Sequence, residues 1–243
     1  MRRPTLRRPL PADPYLTPGR DDVLANRLDI TDGRELAIVE SAVVAEAVRR
    51  LGAGEEVVAG NGDEKHLRDL HRYLYEDLYD WAGEYRVGAT PSGGVPAGMI
   101  RSDVAHTLRI ADDQDWETMT AGEVAGVTAE TWAGLAGAVP FRAGSLVAAT
   151  AMIDELAARA GWQIDWDRTS AVEQVRAVEL GHHAADLDQV KPAIEVVHAG
   201  LRPHLEGPKP AVLRPSRGPT PEGPSVPPPP PRGPDLEGPA MGL

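Results

Sequence analysis

The 243-residue chain contains no cysteine. A disulfide framework, a thiol nucleophile and a thiolate metal site are therefore excluded. No run of about 18 apolar residues is present, the length a helix needs to cross a bilayer, so no membrane span is expected. The first 20 residues lack the apolar stretch of a secretory signal. Basic charge is scarce: 25 Lys and Arg stand against 37 Asp and Glu, a net charge of −12. That argues against a nucleic-acid partner, which needs a basic footprint. A cytoplasmic protein without nucleic-acid or membrane partners is expected.

What is there reads as a soluble globular core, with 42% apolar and 26% charged residues. Residues 1–14 read as a flexible basic arm: Arg2, Arg3, Arg7 and Arg8, with Arg20 beyond it, oppose only Asp13. A first helix follows Asp32, which has capping-box spacing to Glu35, and carries Leu36, Val39, Val43, Ala47 and Leu51 at helical intervals before Gly52 and Gly54. The periodicity of Leu67, Leu70, Leu74, Leu78 and Trp81 predicts a second helix over 64–81, stopped by Gly83. Residues 86–100, with Gly93-Gly94 and two prolines, predict a surface hairpin or flap. Further helices are expected over about 102–113, over 121–138 with Val124, Val127, Trp132 and Leu135 inward, from Ser145 to Ala160, and near 170–187 and 190–203. From about 206 the composition turns to Pro and Gly, with an unbroken proline run at 227–231. Such a tail cannot bury enough to offset its ordering entropy and is expected to be disordered and extended.

Three stretches carry a resemblance. They are YLTPGRDDVLANRLDITDGRELAIVESAVVAEAV near the start, LRDLHRYLYEDLYDWAGEYRVGAT in the middle, and TPSGGVPAGMI after it. Together with AGWQIDW further on, they resemble the Fic (Fido) domain family over residues 15–205. The resemblance implies an all-α helical domain with a short β-hairpin flap formed around Gly93, Gly94 and Val95, which docks an extended substrate segment. It also implies an origin in transfer of AMP from ATP to a protein hydroxyl.

The family's active-site pattern is H-P-F-x-(D/E)-G-N-G-R, and VPFRAGSLV at 139–147 aligns with it without a gap. Pro140, Phe141 and Gly144 are kept, and with Trp81 they read as structural. Val139 stands where the resemblance puts the catalytic histidine. Ala143 replaces the acid, Ser145 the asparagine, Leu146 the second glycine and Val147 the arginine; Thr150 replaces a further arginine one turn on. Val139 cannot take a proton as a general base does. Ala143 brings no carboxylate to Mg²⁺, and Val147 cannot clamp phosphate by paired hydrogen bonds. The turn into a helix leaves a residual anion site at Gly144 and Ser145 open.

No catalytic residue is assigned and no cofactor is expected; ATP with Mg²⁺ would enter only with surviving family activity. Two readings follow. One is a binding or regulatory pseudoenzyme that engages a protein partner through the flap or the proline-rich tail. The other is a repurposed enzyme acting on a different substrate through Tyr85, Arg86 or Arg101 beside the flap, or a residual nucleotidyltransferase. A homodimer, or a heterodimer with another Fic protein, stays open. His71 reads as a packing residue, and Trp162 and Trp166 as core. The adjacent His182 and His183 cannot form an i, i+4 metal pair, and no metal site is expected. His106 has no stated link to the motif, and Asp112, Asp113 and Asp115 read as a solvated helix end. Ser41 and Glu46 lack the spacing of the family's inhibitory motif.

Overall fold

Asp32 sits in an extended conformation and accepts the backbone N–H groups of Arg34 and Glu35, which starts helix α1 (Gly33–Gly52). Asp63 does the same for helix α2 (Glu64–Tyr75), accepting from His66. Helix α3 (Ile100–Asp112) follows a short 3₁₀ turn at Ala97–Met99. Helix α4 (Ala121–Ala138) opens on a reciprocal capping box, with Thr120 and Glu123 each satisfying the other's backbone N–H. Helix α5 (Ser145–Arg159) leads through Gly161 into strand β1 (Trp162–Ile164). Helix α6 (Leu187–Gly200) runs directly into strand β2 (Leu201–Pro203), which pairs antiparallel with β1, Gln163 opposite Arg202. The structure, a computed structural model, describes residues 13–170, 173, 174, 176, 177 and 187–203. Among these the architecture is all-α apart from that one small sheet.

Helix α4 is the centre of the fold. It is buried on nearly every side and packs against α3, α5 and α6. Its many alanines and glycines permit close approach: a Cβ added at Gly134 would lie 2.7 Å from the Thr107 methyl of α3. Leu67, Leu70 and Leu74 of α2, Leu135 of α4, and Met152, Ile153 and Leu156 of α5 are all shielded from water in one continuous core. Each such side chain contributes about 1.5–3 kcal/mol by leaving water.

Three expectations change. The second helix ends at Tyr75, not at residue 81. The apolar spacing continues because the turns after it, with Leu78 N–H and Tyr79 N–H both donating to the Tyr75 carbonyl, still point Leu78 and Tyr79 into the same core. The expected helix 190–203 begins at 187 and yields to a strand at Leu201, where an edge partner in β1 satisfies the backbone. The flap carries one bridge, Thr90 to Gly93 around a tight turn, rather than a strand pair. Of the helix expected over 170–187, residues 173, 174, 176 and 177 are described and are helical. The proline-rich tail, and the arm up to residue 12, lie outside the described residues.

Candidate functional site at the turn between α4 and α5

Val139 ends α4 with φ 46°, a left-handed conformation that a β-branched side chain resists. Holding such a residue there costs about 1–3 kcal/mol, so the surroundings must enforce it. Arg86 does so. It is 3% exposed, and the described residues place no carboxylate against it. Its Nε donates to the Val139 carbonyl at 2.6 Å and its Nη1 to the Gly88 carbonyl at 2.7 Å. Its Nη2 donates to the Val95 carbonyl and, at 3.4 Å, to that of Ala138. The Arg86 N–H also donates to the Pro140 carbonyl, and the Val95 N–H to that of Ala138. The carbonyls at the C-terminus of α4 carry partial negative charge, which suits a guanidinium. Burial lowers the Arg86 pKa from its ordinary range.

The turn is closed on its other side by Ser145, whose hydroxyl accepts the Phe141 N–H at 3.0 Å and donates to the Phe141 carbonyl at 3.2 Å. Ser145 is buried and faces inward. Gly144 has φ 74°, and a Cβ there would overlap the Tyr75 ring. Both residues expected to hold a residual anion site thus have packing roles. Phe141 is fully buried and stacks on His71 with ring centroids 3.7 Å apart. His71 accepts the Gly83 N–H at Nδ1, 2.8 Å away, so Nε2 bears the hydrogen and donates to the Ala143 carbonyl at 3.0 Å. Desolvation holds its pKa down to about 4, so the ring is neutral. The packing role expected of His71 is the one it has, and it ties α2, the turn at Trp81–Gly83 and the motif into one unit.

Val139, Ala143, Leu146 and Val147 remain partly exposed around this turn. A Mg²⁺–phosphate group does not fit them. Ala143 has no carboxylate, and its carbonyl is already taken by His71. Val147 and Leu146 are packed against the core as hydrophobes. Thr150 accepts the indole N–H of buried Trp132 at 3.1 Å. These side chains are therefore integrated into the packing of the domain.

Elsewhere, Trp81 stacks on Tyr79 at 4.4 Å and meets Tyr15 edge-on at 5.5 Å. Trp166 packs against Trp132 and donates to Asp154, while Trp162 lies in β1. Arg101 is exposed and pairs with Glu64 at 2.7 Å. The Tyr85 hydroxyl is buried with no protein partner among the described residues, its ring beside Phe141 and under the Arg68 guanidinium. His106 is exposed on α3 and contacts Arg109. Asp112 ends α3, and Asp113 and Asp115 follow it at the surface. Ser41 and Glu46 are exposed on α1, Glu46 pairing with Arg49. His182 and His183 lie outside the described residues. Among the described residues, no three His, Asp or Glu side chains are placed to hold a metal ion.

Two features escaped the sequence reading. Arg142, in the motif itself, pairs with Asp13 at 2.8 Å, and the Tyr15 hydroxyl accepts the Val87 N–H at the foot of the flap. The N-terminal segment thus braces both the motif turn and the flap. Nothing in the spacing of residues 129 positions apart signals this contact. The other is Asp154, whose carboxyl is shielded from water so that its pKa rises to about 7 despite the hydrogen bond from Trp166.

A central helix, the tight turn that leads from it into α5 and a flap bonded across that turn make up the helical domain's candidate site. Over 187 residues the chain is 31% identical to the protein adenylyltransferase VbhT of Bartonella schoenbuchensis, covering 72% of this chain and 37% of that protein. Over 160 residues it is 32% identical to the probable protein adenylyltransferase Fic of Escherichia coli, covering 63% of this chain and 76% of that protein. The chain belongs to the Fic domain family. It spans little more than a third of the length of VbhT. The VirB-translocated effector protein BepC of Bartonella tribocorum, solved with AMPPNP bound, superposes with a TM-score of 0.67 at 19% identity, over 78% of this chain and 96% of that one. The Fic domain of a putative cell filamentation protein of Bartonella quintana, solved with ADP bound, gives 0.67 at 20% identity, over 78% and 94%. No family model matches the chain.

Proposed function

We propose that this Fic domain is a pseudoenzyme: a binding or regulatory protein that does not transfer AMP from ATP to a protein hydroxyl. The observation that carries the reading is the Val139 niche. An aliphatic side chain occupies the position of the family's general base, beneath the Gly94 backbone, and the neighbouring Ala143, Leu146 and Val147 supply neither a metal ligand nor a phosphate clamp. Aliphatic groups there would strip water from phosphate without replacing its hydrogen bonds. The helices around them keep one continuous core, which supports a retained binding role. Its partner is proposed to be a protein, engaged through the flap or the proline-rich tail, in the cytoplasm. No described helix is long and apolar enough to cross a membrane. A repurposed enzyme is less well supported, because Arg86 is committed to backbone carbonyls and Arg101 to Glu64.

Calorimetric titration with ATP, with and without Mg²⁺, tests the reading. It compares the native chain with a variant carrying Val139→His, Ala143→Asp, Ser145→Asn, Leu146→Gly and Val147→Arg. The native chain is expected to give no binding heat and the restored variant to bind. Micromolar binding by the native chain, with labelled AMP transferred to protein, would overturn it.

A further inference from the structure

Arg86, Val139 and Gly94 meet in one contact, and we infer from it that Arg86 is a latch. It holds the flap shut on the motif turn and keeps Val139 in its left-handed conformation. The inference does not depend on whether nucleotide binds.

Three independent observations converge. The first is where the guanidinium spends its donors: on Gly88 and Val95 at the two ends of the flap, and on Ala138 and Val139 at the end of α4. One side chain thus spans both elements, and no carboxylate placed among the described residues competes for it. The second is steric. A Cβ added to Gly94 would lie 2.6 Å from the Val139 Cβ, 2.6 Å from the Ala138 carbonyl and 2.8 Å from Arg86 Nη2. The flap backbone therefore seats directly on the Val139 side chain, at a residue whose φ of 90° favours glycine. The third is conformational. Val139 is one of two non-glycine residues with positive φ among the described residues, and the β-branched one. Its carbonyl is oriented toward Arg86 by that unusual backbone, and the bond at 2.6 Å holds it there.

The remaining contacts of the flap are few. Beyond the backbone bonds of Arg86 to Pro140 and of Val95 to Ala138, it makes the Val87 N–H bond to the Tyr15 hydroxyl and turn bonds of its own between Thr90 and Gly93; Val95 and Ala97 rest against the core, and its outer residues 91–94 are exposed. A segment with so few buried contacts opens locally once its strongest tie is cut. Any ligand or partner segment reaching the Val139 niche from the flap side must displace Gly94, and so must break the Arg86 bonds first. Arg86 is in this sense a positioning residue: it sets the closed state of the flap rather than touching a ligand.

Amide hydrogen exchange on the full chain tests the latch. Lysine keeps the charge but reaches only part of the fork, so Arg86→Lys is the informative variant. In Arg86→Lys, exchange over residues 88–98 is expected to rise about tenfold or more while the central amides of α4 keep their protection. Unchanged exchange in the flap, or an equal rise in the flap and throughout α4, overturns the proposal. Val139→Gly supplies the second arm, because glycine adopts the left-handed backbone unaided. Arg86→Lys should then lower the melting temperature less in the Val139→Gly background than in the native one; strictly additive shifts overturn the coupling. Should Arg86→Lys not fold, Gly94→Ala decides. Its Cβ would wedge the flap off the niche, giving the same flap-selective exchange, and native protection of the flap in that variant overturns the latch.

Discussion

Asp154 and His71 carry opposite pH dependences. The Asp154 pKa, raised to about 7 by desolvation and the neighbouring Glu155, exceeds its unfolded value. The folded state therefore binds the proton more tightly, and this residue's contribution to stability is lost as pH rises from about 4 to about 7. The His71 pKa is held down to about 4, so its contribution is present above the unfolded value and is lost as pH falls from 6.5 toward 4. In the native chain the two slopes offset each other. Asp154→Asn keeps an acceptor for the Trp166 indole and removes the titration. It should stabilise the protein at pH 8 by a few kcal/mol, each pKa unit of the shift being worth about 1.4 kcal/mol, and leave stability rising with pH between 4 and 6.5. Urea unfolding at a series of pH values reads both; a native-like flat profile in the variant would contradict the assignment.

The helices show what local sequence controls. The capping box at Thr120 and Glu123 opens α4, on which α3, α5 and α6 all pack. Thr120→Ala should cost about 1 kcal/mol, seen as a lower denaturation midpoint with an unchanged slope. Because the cap lies at the end of α4 remote from Val139, the flap should keep its native exchange rates in this variant. Local rules also explain where the second helix was overrun: turn geometry after Tyr75 preserved the apolar spacing without preserving the helix. Spacing reports which residues face the core. It does not report whether the backbone between them is α-helix or consecutive turns.

At the scale of the molecule, the pair of Asp13 and Arg142 joins the first described residue to the motif turn. Both side chains are mostly shielded, 24% and 12% exposed, so the pair is better protected from solvent than a surface bridge. A double-mutant cycle of Asp13→Ala and Arg142→Ala should give a coupling of about 1 kcal/mol. Additive losses would mean that the ion pair does not couple the N-terminal segment to the motif turn.

The sequence by itself determined the helical class, the approximate span of most helices and membership of the Fic family. Apolar periodicity, capping residues and the linear order of long matching stretches are properties of neighbouring residues. It also determined that residues 139, 143, 146 and 147 are Val, Ala, Leu and Val, since residue identity needs no coordinates. Only the tertiary structure decided what holds those positions in place. The Arg86 fork across the flap and α4, the His71 bond to the Ala143 carbonyl, the Thr150 bond from Trp132 and the Asp13 brace all join residues far apart in the chain. Their geometry arises when separate helices pack, and no local propensity encodes it.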